Sequence, residues 1–296
     1  MIKQIHKKIS TPGDIILKVI AYLYFVIFSI AVLLPFYILL KDSVTSFEES
    51  SSTMEFIWFP KQGAKLTAYE SVLFSNELEM FGISIFRAFF NSLWQVIPTL
   101  VVGLFVSGLA AFAYAKLRFP GKDKLFMITL ATMMIPGAVL MMPTYVYFVD
   151  VLKWGDSVLP MVIPGLFGGA TTIFFMRQFF RGIPTDLLDA AKLDGLGFMG
   201  QYTRIMIPLS KPAFISQFIF GFIGGYNDYM GPLLYINGQT EIYPLQMALT
   251  LYQNLYRFDG AMIAALTLLA MLPLIVIYVF MQKYFIEGIA VTGIKG

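Results

Sequence analysis

Cysteine is absent from the 296 residues, and histidine occurs once, at His6. Without thiols there is no disulfide framework, no cysteine-based zinc cluster and no thiol chemistry. A lone histidine in a basic leader leaves no histidine-dependent triad, metal triad or proton shuttle. Charge is scarce too: Asp, Glu, Lys and Arg make up 13% of the chain against 58% hydrophobic residues, with a mean hydropathy of +0.74. That is too little charge to surface a water-soluble domain, so the chain belongs in a membrane, and with no Cys and one leader His it is expected not to be an enzyme. Internal repeats, low-complexity runs and an appended soluble domain are also lacking. The net charge is +3, and the basic residues between the apolar runs read as orientation signals rather than a nucleic-acid surface, so no nucleic-acid partner is expected.

What the sequence has instead is long apolar runs. Residues 19–40 run for 22 positions without a charge, behind a leader (1–18) that holds Lys3, Lys7, Lys8 and Lys18 against one acid, Asp14. That run is too long for the core of a cleavable signal and lacks a small-residue cleavage site, so it reads as a first transmembrane helix with the leader inside. Residues 88–115 give 28 uncharged positions that include Asn91 and Gln95, and Lys116, Arg118, Lys122 and Lys124 follow at once. Further spans are expected at 125–149, 158–176, 213–236 and 261–281. The third is broken by Pro136-Gly137 and Pro143, and the fourth by Pro160, Pro164 and Gly168-Gly169. Pro and Gly persist in such helices where neighbours or water satisfy the freed backbone groups, so these spans are expected to bend along a cavity.

Residues 41–87 read as an external loop rich in Glu and aromatics, with a short helix near 66–73 and Trp58-Phe59-Pro60 as an interfacial anchor. Residues 237–260 form a second external loop, and 282–296 an inner tail. Six spans with both ends inside put 15 of the 21 Lys and Arg residues on the inner side, as the positive-inside rule requires. The expected fold is an all-α polytopic membrane protein with six transmembrane helices.

The loop at 184–212, PTDLLDAAKLDGLGFMGQYTRIMIPLSKP, lies between two spans yet carries Asp186, Asp189, Lys192, Asp194, Arg204 and Lys211, so it sits in water. Pro184 suits a first helical position and Asp186 the positive first turn. Leu187, Leu188, Ala190 and Ala191 make an apolar strip, and Gly195 is placed to end the helix in a left-handed conformation. About eight residues at 1.5 Å each give a peg roughly 12 Å long. Beyond a Gly-rich turn, Phe198, Tyr202 and Ile205 recur at helical spacing and Pro208 is expected to close a second helix.

Asp189-Ala190-Ala191, Asp194-Gly195 and Ile207-Pro208-Leu209 resemble the Glu-Ala-Ala loop of ABC importer membrane subunits, with Asp189 where Glu is usual. The stretch AAFAYAKLRFPGK (110–122) is similar to the one after the second span in the smaller permease of maltose-type carbohydrate importers. Asn91-Ser92, Asn227-Asp228-Tyr229 with Pro232-Leu233, and Gln282-Lys283-Tyr284-Phe285 with Gly288 and Lys295-Gly296 carry the same likeness along nearly the whole chain.

This resemblance implies the fold of a type I (MetI-like) ABC importer transmembrane domain in the bacterial cytoplasmic membrane. It implies a second, related permease as partner, two ABC ATPases that use ATP and Mg²⁺ and dock on Leu187, Asp189, Ala190, Ala191, Asp194 and Gly195, and an extracytoplasmic solute-binding protein that delivers a sugar. This chain itself is expected to bind no cofactor and no metal. Polar or aromatic residues within spans are costly in lipid, so Asn91, Gln95, Tyr145, Tyr226, Asn227, Asp228 and Tyr229 are the candidates to line the pathway. The rivals are an ABC permease for another small solute and an ATP-independent secondary transporter, which would need a midplane carboxylate; Asp228 lies near a span's edge.

Overall fold

A computed structural model describes residues 12–52, 57–74, 83–236, 238–255 and 259–293. Lys3, His6, Lys7, Lys8, Lys295 and Gly296, and parts of the expected loops at 41–87 and 237–260, lie outside them. The described residues form helices and turns, with no strand among them. They divide into two compact units, one within Met1–Val72 and Tyr256–Leu269, the other within Leu73–Leu255 and Ala270–Gly296.

The first unit begins with α1 (Pro12–Ser43), whose apolar residues are open as far as Phe36 and half-buried at 37–39. After α2 (Phe47–Ser52) the chain turns back, and the Glu49 carboxylate accepts the backbone N–H groups of Lys61 at 2.6 Å and Gln62 at 3.3 Å. Tyr69, on α3 (Thr67–Phe74), donates to the Ser43 hydroxyl at 2.9 Å. Tyr37 donates to the Trp58 carbonyl, leaving the Trp58 and Phe59 side chains exposed beside the end of an apolar helix. An aromatic pair held there suits the membrane–water interface.

The second unit is built on α4 (Ile85–Lys116). It is followed by α5 (Lys122–Thr132) and α6 (Gly137–Val146), the latter running on through a π turn to Val151. Next come α7 (Leu159–Leu166), α8 (Ala170–Arg181), α9 (Asp186–Leu193) and α10 (Phe198–Gln201). A π turn (Tyr202–Met206) leads to α11 (Ile207–Leu209), α12 (Lys211–Tyr226), α13 (Met230–Tyr235), α14 (Leu245–Leu255) and α15 (Gly260–Gly293), which continues into both units. Helices α7, α8, α12 and α14 all pack on α4. The absence of a side chain at Gly103 lets α4 meet the Gly165 carbonyl of α7 directly, a backbone approach that any Cβ would block.

Among the described residues, four helices are long and apolar enough to cross a membrane; two bent pairs, at 91° (Lys122–Thr132 with Gly137–Val151) and 80° (Phe198–Leu209 with Lys211–Tyr226), raise the number to six if each pair is one span. The expected third span bends at Pro136, the fourth breaks at Gly168-Gly169, and the fifth at residues 227–229. Several local readings change. Pro143 and Pro164 lie inside α6 and α7, and Pro160 sits in the first turn of α7, so none of the three breaks its span. Helix α9 starts at Asp186 with Thr185 as its cap, because the Thr185 carbonyl accepts from Leu188 and Asp189, so Pro184 precedes the helix rather than opening it. Pro208 lies inside a helical segment: the wider π turn just before it leaves room for the ring that an α-turn would clash with.

Candidate functional site

The peg α9 owes its termination to Gly195, which adopts φ +84°. There the Leu196 N–H reaches the Ala191 carbonyl at 2.9 Å and the Gly195 N–H reaches Lys192 at 3.1 Å, a Schellman ending that only a left-handed residue permits at low cost. The apolar strip is divided between two directions. Leu188 and Ala191, three residues apart, are 5% and 4% exposed, and Leu188 joins a core with Phe112, Met176, Phe180, Tyr202 and Met206. Leu187 and Leu193 are 45% and 91% exposed, with Ala190 between them also open. At i, i+3 and i+6 these three form a second apolar stripe, flanked by exposed Asp189 and Asp194. Helix α9 thus seats one face in its own fold and leaves a second apolar face uncovered. Leu193 escaped the sequence reading, although its spacing from Leu187 and Ala190 carried the signal.

Lys116, the last residue of α4, donates its ammonium to the Ile183 carbonyl and so pins the entry to this loop. Arg177 lies 3.8 Å over the Phe126 ring and bonds the Tyr114 carbonyl at 3.4 Å, which ties α8 to α5 and α4.

Further along α4, towards its N-terminus, a cavity of about 130 Å³ opens between α4, α7 and α12. Its polar lining includes Ser92, Gln95, Thr99 and Asp228. Gln95 donates to the Ile242 carbonyl at 3.2 Å, Ser92 accepts from the Leu245 N–H at 2.8 Å, and Thr99 donates to the Gln95 carbonyl at 2.7 Å. The Asp228 carboxylate accepts the Gly231 N–H at 3.2 Å at the start of α13. An amide, a hydroxyl and a carboxylate in one apolar recess are groups that pair with hydroxyls.

Of the seven residues read as pathway candidates, the fold therefore brings Gln95 and Asp228 to this cavity. Asn91, one turn before Gln95, donates to the Glu241 and Tyr243 carbonyls at 2.8 and 3.0 Å and anchors the segment that precedes α14. Asn227 accepts from Gln246 at 3.1 Å. Tyr226 is buried and donates to the Ala270 carbonyl at 3.0 Å, while Tyr145 stacks on Tyr235 at 6.1 Å. Tyr229 is half-buried at the head of α13, and its carbonyl accepts from Leu233. Ser92 and Thr99 were missed by sequence, because hydroxyl residues are ordinary helix constituents and only the packing around α4 turns them to a shared recess.

The sequence matches the family described as binding-protein-dependent transport system inner membrane component over residues 103–291. Similar curated proteins include an arabinooligosaccharides transport system permease of Bacillus subtilis, 32% identical over 97% of this chain and 99% of the relative. An sn-glycerol-3-phosphate transport system permease of Agrobacterium fabrum is 31% identical over 94% and 97%. Among solved structures, a bacterial ABC transporter involved in import of the acidic polysaccharide alginate superposes with a TM-score of 0.80 at 22% identity, covering 93% of this chain and 98% of that one.

Proposed function

Because this chain belongs to the family of binding-protein-dependent transport system inner membrane components, we propose that it is one of two permease subunits of an ATP-driven importer that takes up a sugar or oligosaccharide. The observation that carries the proposal is the double-faced peg: Leu188 and Ala191 seated inward, Leu187, Ala190 and Leu193 open beside two aspartates. That open face is where an ABC ATPase docks. ATP with its Mg²⁺ acts on the ATPase subunits, and this chain performs no catalysis. ATP binding moves the peg, and the helices around the cavity change which side of the membrane they open to.

The leader, the loops at 116–124 and 184–212 and the tail lie inside, at the cytoplasmic face of a bacterial membrane. The external segments 44–86 and 237–260 meet the solute-binding protein that brings the substrate. Substrate class follows from Gln95 and Asp228. Amide and carboxylate both bond sugar hydroxyls, whereas a carboxylate at the cavity wall repels a phosphate ester. A neutral sugar therefore fits better than glycerol phosphate.

The test is uptake by the complex captured through a tag on this chain and reconstituted with its binding protein. ATP-dependent accumulation of a labelled arabinooligosaccharide or another neutral sugar, in preference to sn-glycerol 3-phosphate, is expected. Accumulation that proceeds without ATP would identify a secondary transporter and remove the proposal.

A further inference from the structure

Tyr202 is the largest side chain that joins the peg-bearing loop to the helix carrying the cavity, and nothing in the function above uses it. It is 0% exposed and stands at the first position of the π turn that follows α10. Its hydroxyl donates to the Phe105 carbonyl of α4 at 2.7 Å. The ring stacks on Phe112 at 5.8 Å and meets Phe105 edge-on at 5.3 Å, so it spans nearly two turns of α4. The Phe105 carbonyl lies inside a helix whose own ladder occupies one lone pair, and the second lone pair is available to a donor that comes from outside.

That donor has access because residue 108 is glycine: a methyl built on Gly108 would overlap the Tyr202 hydroxyl and lie 2.8 Å from the Phe214 ring. A π turn widens a helix by one residue and is commonly kept where a side chain must be aimed. On the other side, Tyr202 packs in the same core as Leu188, the inward residue of the peg. The chain of contact therefore runs from peg to core to Tyr202 to α4. Phe105 stands six residues from Thr99, roughly 9 Å along the same helix on the near side of Pro98, and ten from Gln95, which lies beyond that proline.

We infer that Tyr202 is a positioning residue that transmits displacement of the peg to α4 through its hydroxyl on the Phe105 carbonyl, and so sets the access state of the Gln95–Thr99 cavity. The inference rests on the alternating-access reading above. Each ring contact is a sum of small atom–atom attractions that yields to modest shifts, whereas a hydrogen bond to one fixed carbonyl weakens steeply once its distance and angle are lost, so it keeps register while two elements move together. The hydroxyl, rather than the bulk of the side chain, is therefore the coupling part.

The absence of native cysteine gives a readout that needs no substrate. In the intact complex in membrane vesicles, Thr99→Cys reports cavity access by its rate of modification with a membrane-impermeant maleimide. With Tyr202 in place, ATP should change that rate by about fivefold or more, the lower end of ordinary allosteric coupling. Adding Tyr202→Phe keeps the rings and removes only the hydroxyl. It should reduce the ATP-dependent change to within about twofold while ATP turnover and retention of the ATPase persist. Gly108→Ala, which keeps Tyr202 in the sequence but puts a methyl where its hydroxyl lies, should produce the same loss, and the two substitutions together should be no worse than either alone.

An undiminished ATP response in the Tyr202→Phe chain sinks the inference and leaves the transport reading intact. Loss of ATPase retention together with a lowered thermal midpoint would show a merely structural role and overturn it as well. If ATP leaves the Thr99→Cys rate unchanged even with Tyr202 present, the alternating-access reading itself fails, and the inference with it.

Discussion

At the scale of single residues, α9 places opposite demands on neighbours in sequence. Leu193 is 91% exposed, so Leu193→Asp should leave the thermal midpoint of the isolated chain nearly unmoved. In the complex, burying a leucine is worth about 1.5–3 kcal/mol, so the same change should weaken ATPase retention at least tenfold or so. Leu188 is 5% exposed, and Leu188→Ala should cost about 2–5 kcal/mol of stability by opening a cavity in the core it shares with Phe180 and Met206. A pull-down titration beside a thermal melt separates the two; equal behaviour of both variants would refute the two-faced assignment.

Asp228 offers a second residue-scale test. Asp228→Asn removes the charge that opposes phosphate, so competition of sn-glycerol 3-phosphate against sugar uptake should strengthen by about tenfold, equivalent to about 1.4 kcal/mol. No change would mean that Asp228 acts only by holding the Gly231 N–H at the start of α13.

At the scale of elements, turns and close approaches decide what each helix does. Gly195 at φ +84° lets α9 stop sharply and the chain re-enter as α10. Proline is held near φ −65°, so Gly195→Pro should undo that ending while leaving the membrane helices inserted, and ATP hydrolysis should no longer drive uptake. Transport at the parental rate would place the coupling contact elsewhere. The α4–α7 contact at Gly103 and Gly165 is of another kind, since it needs empty space rather than a special backbone angle. Gly103→Leu should force the two backbones apart and cost about 1–3 kcal/mol, read as a lowered thermal midpoint of the detergent-solubilised chain.

Much at this scale was legible in the sequence. The helix at 186–193 follows from an acidic first turn, an apolar strip and a terminal Gly, all local signals. The bend at Pro136 and the break at Gly168-Gly169 follow from residues that cannot continue a regular ladder. The π turn at Tyr202–Met206 has no comparable local signature, and for that reason Pro208 was misread as a terminator.

For the whole molecule, the distribution of charge makes the orientation testable. Single cysteines placed at Lys65, Lys124 and Lys192 should separate by side in intact cells: an impermeant thiol reagent should modify the first and leave the other two untouched until the membrane is opened. Labelling of Lys192→Cys from outside would invert the topology and remove the peg from the ATPase's compartment.

By itself, the sequence determined that this protein is a multi-pass membrane protein and which of its stretches are apolar enough to span. Each of those follows from the free energy of short stretches in lipid or water, summed without regard to their neighbours. Only the tertiary structure decided that Leu188 turns inward while Leu187 and Leu193 stay open, that Gln95 shares a cavity with Asp228, and that Tyr202 seats on the Phe105 carbonyl. Helical periodicity names a face but not its partner. The partner is set by which backbones come close enough to touch, and at α4 that was fixed by glycines whose distant counterparts, Gly165 and Tyr202, no local pattern identifies.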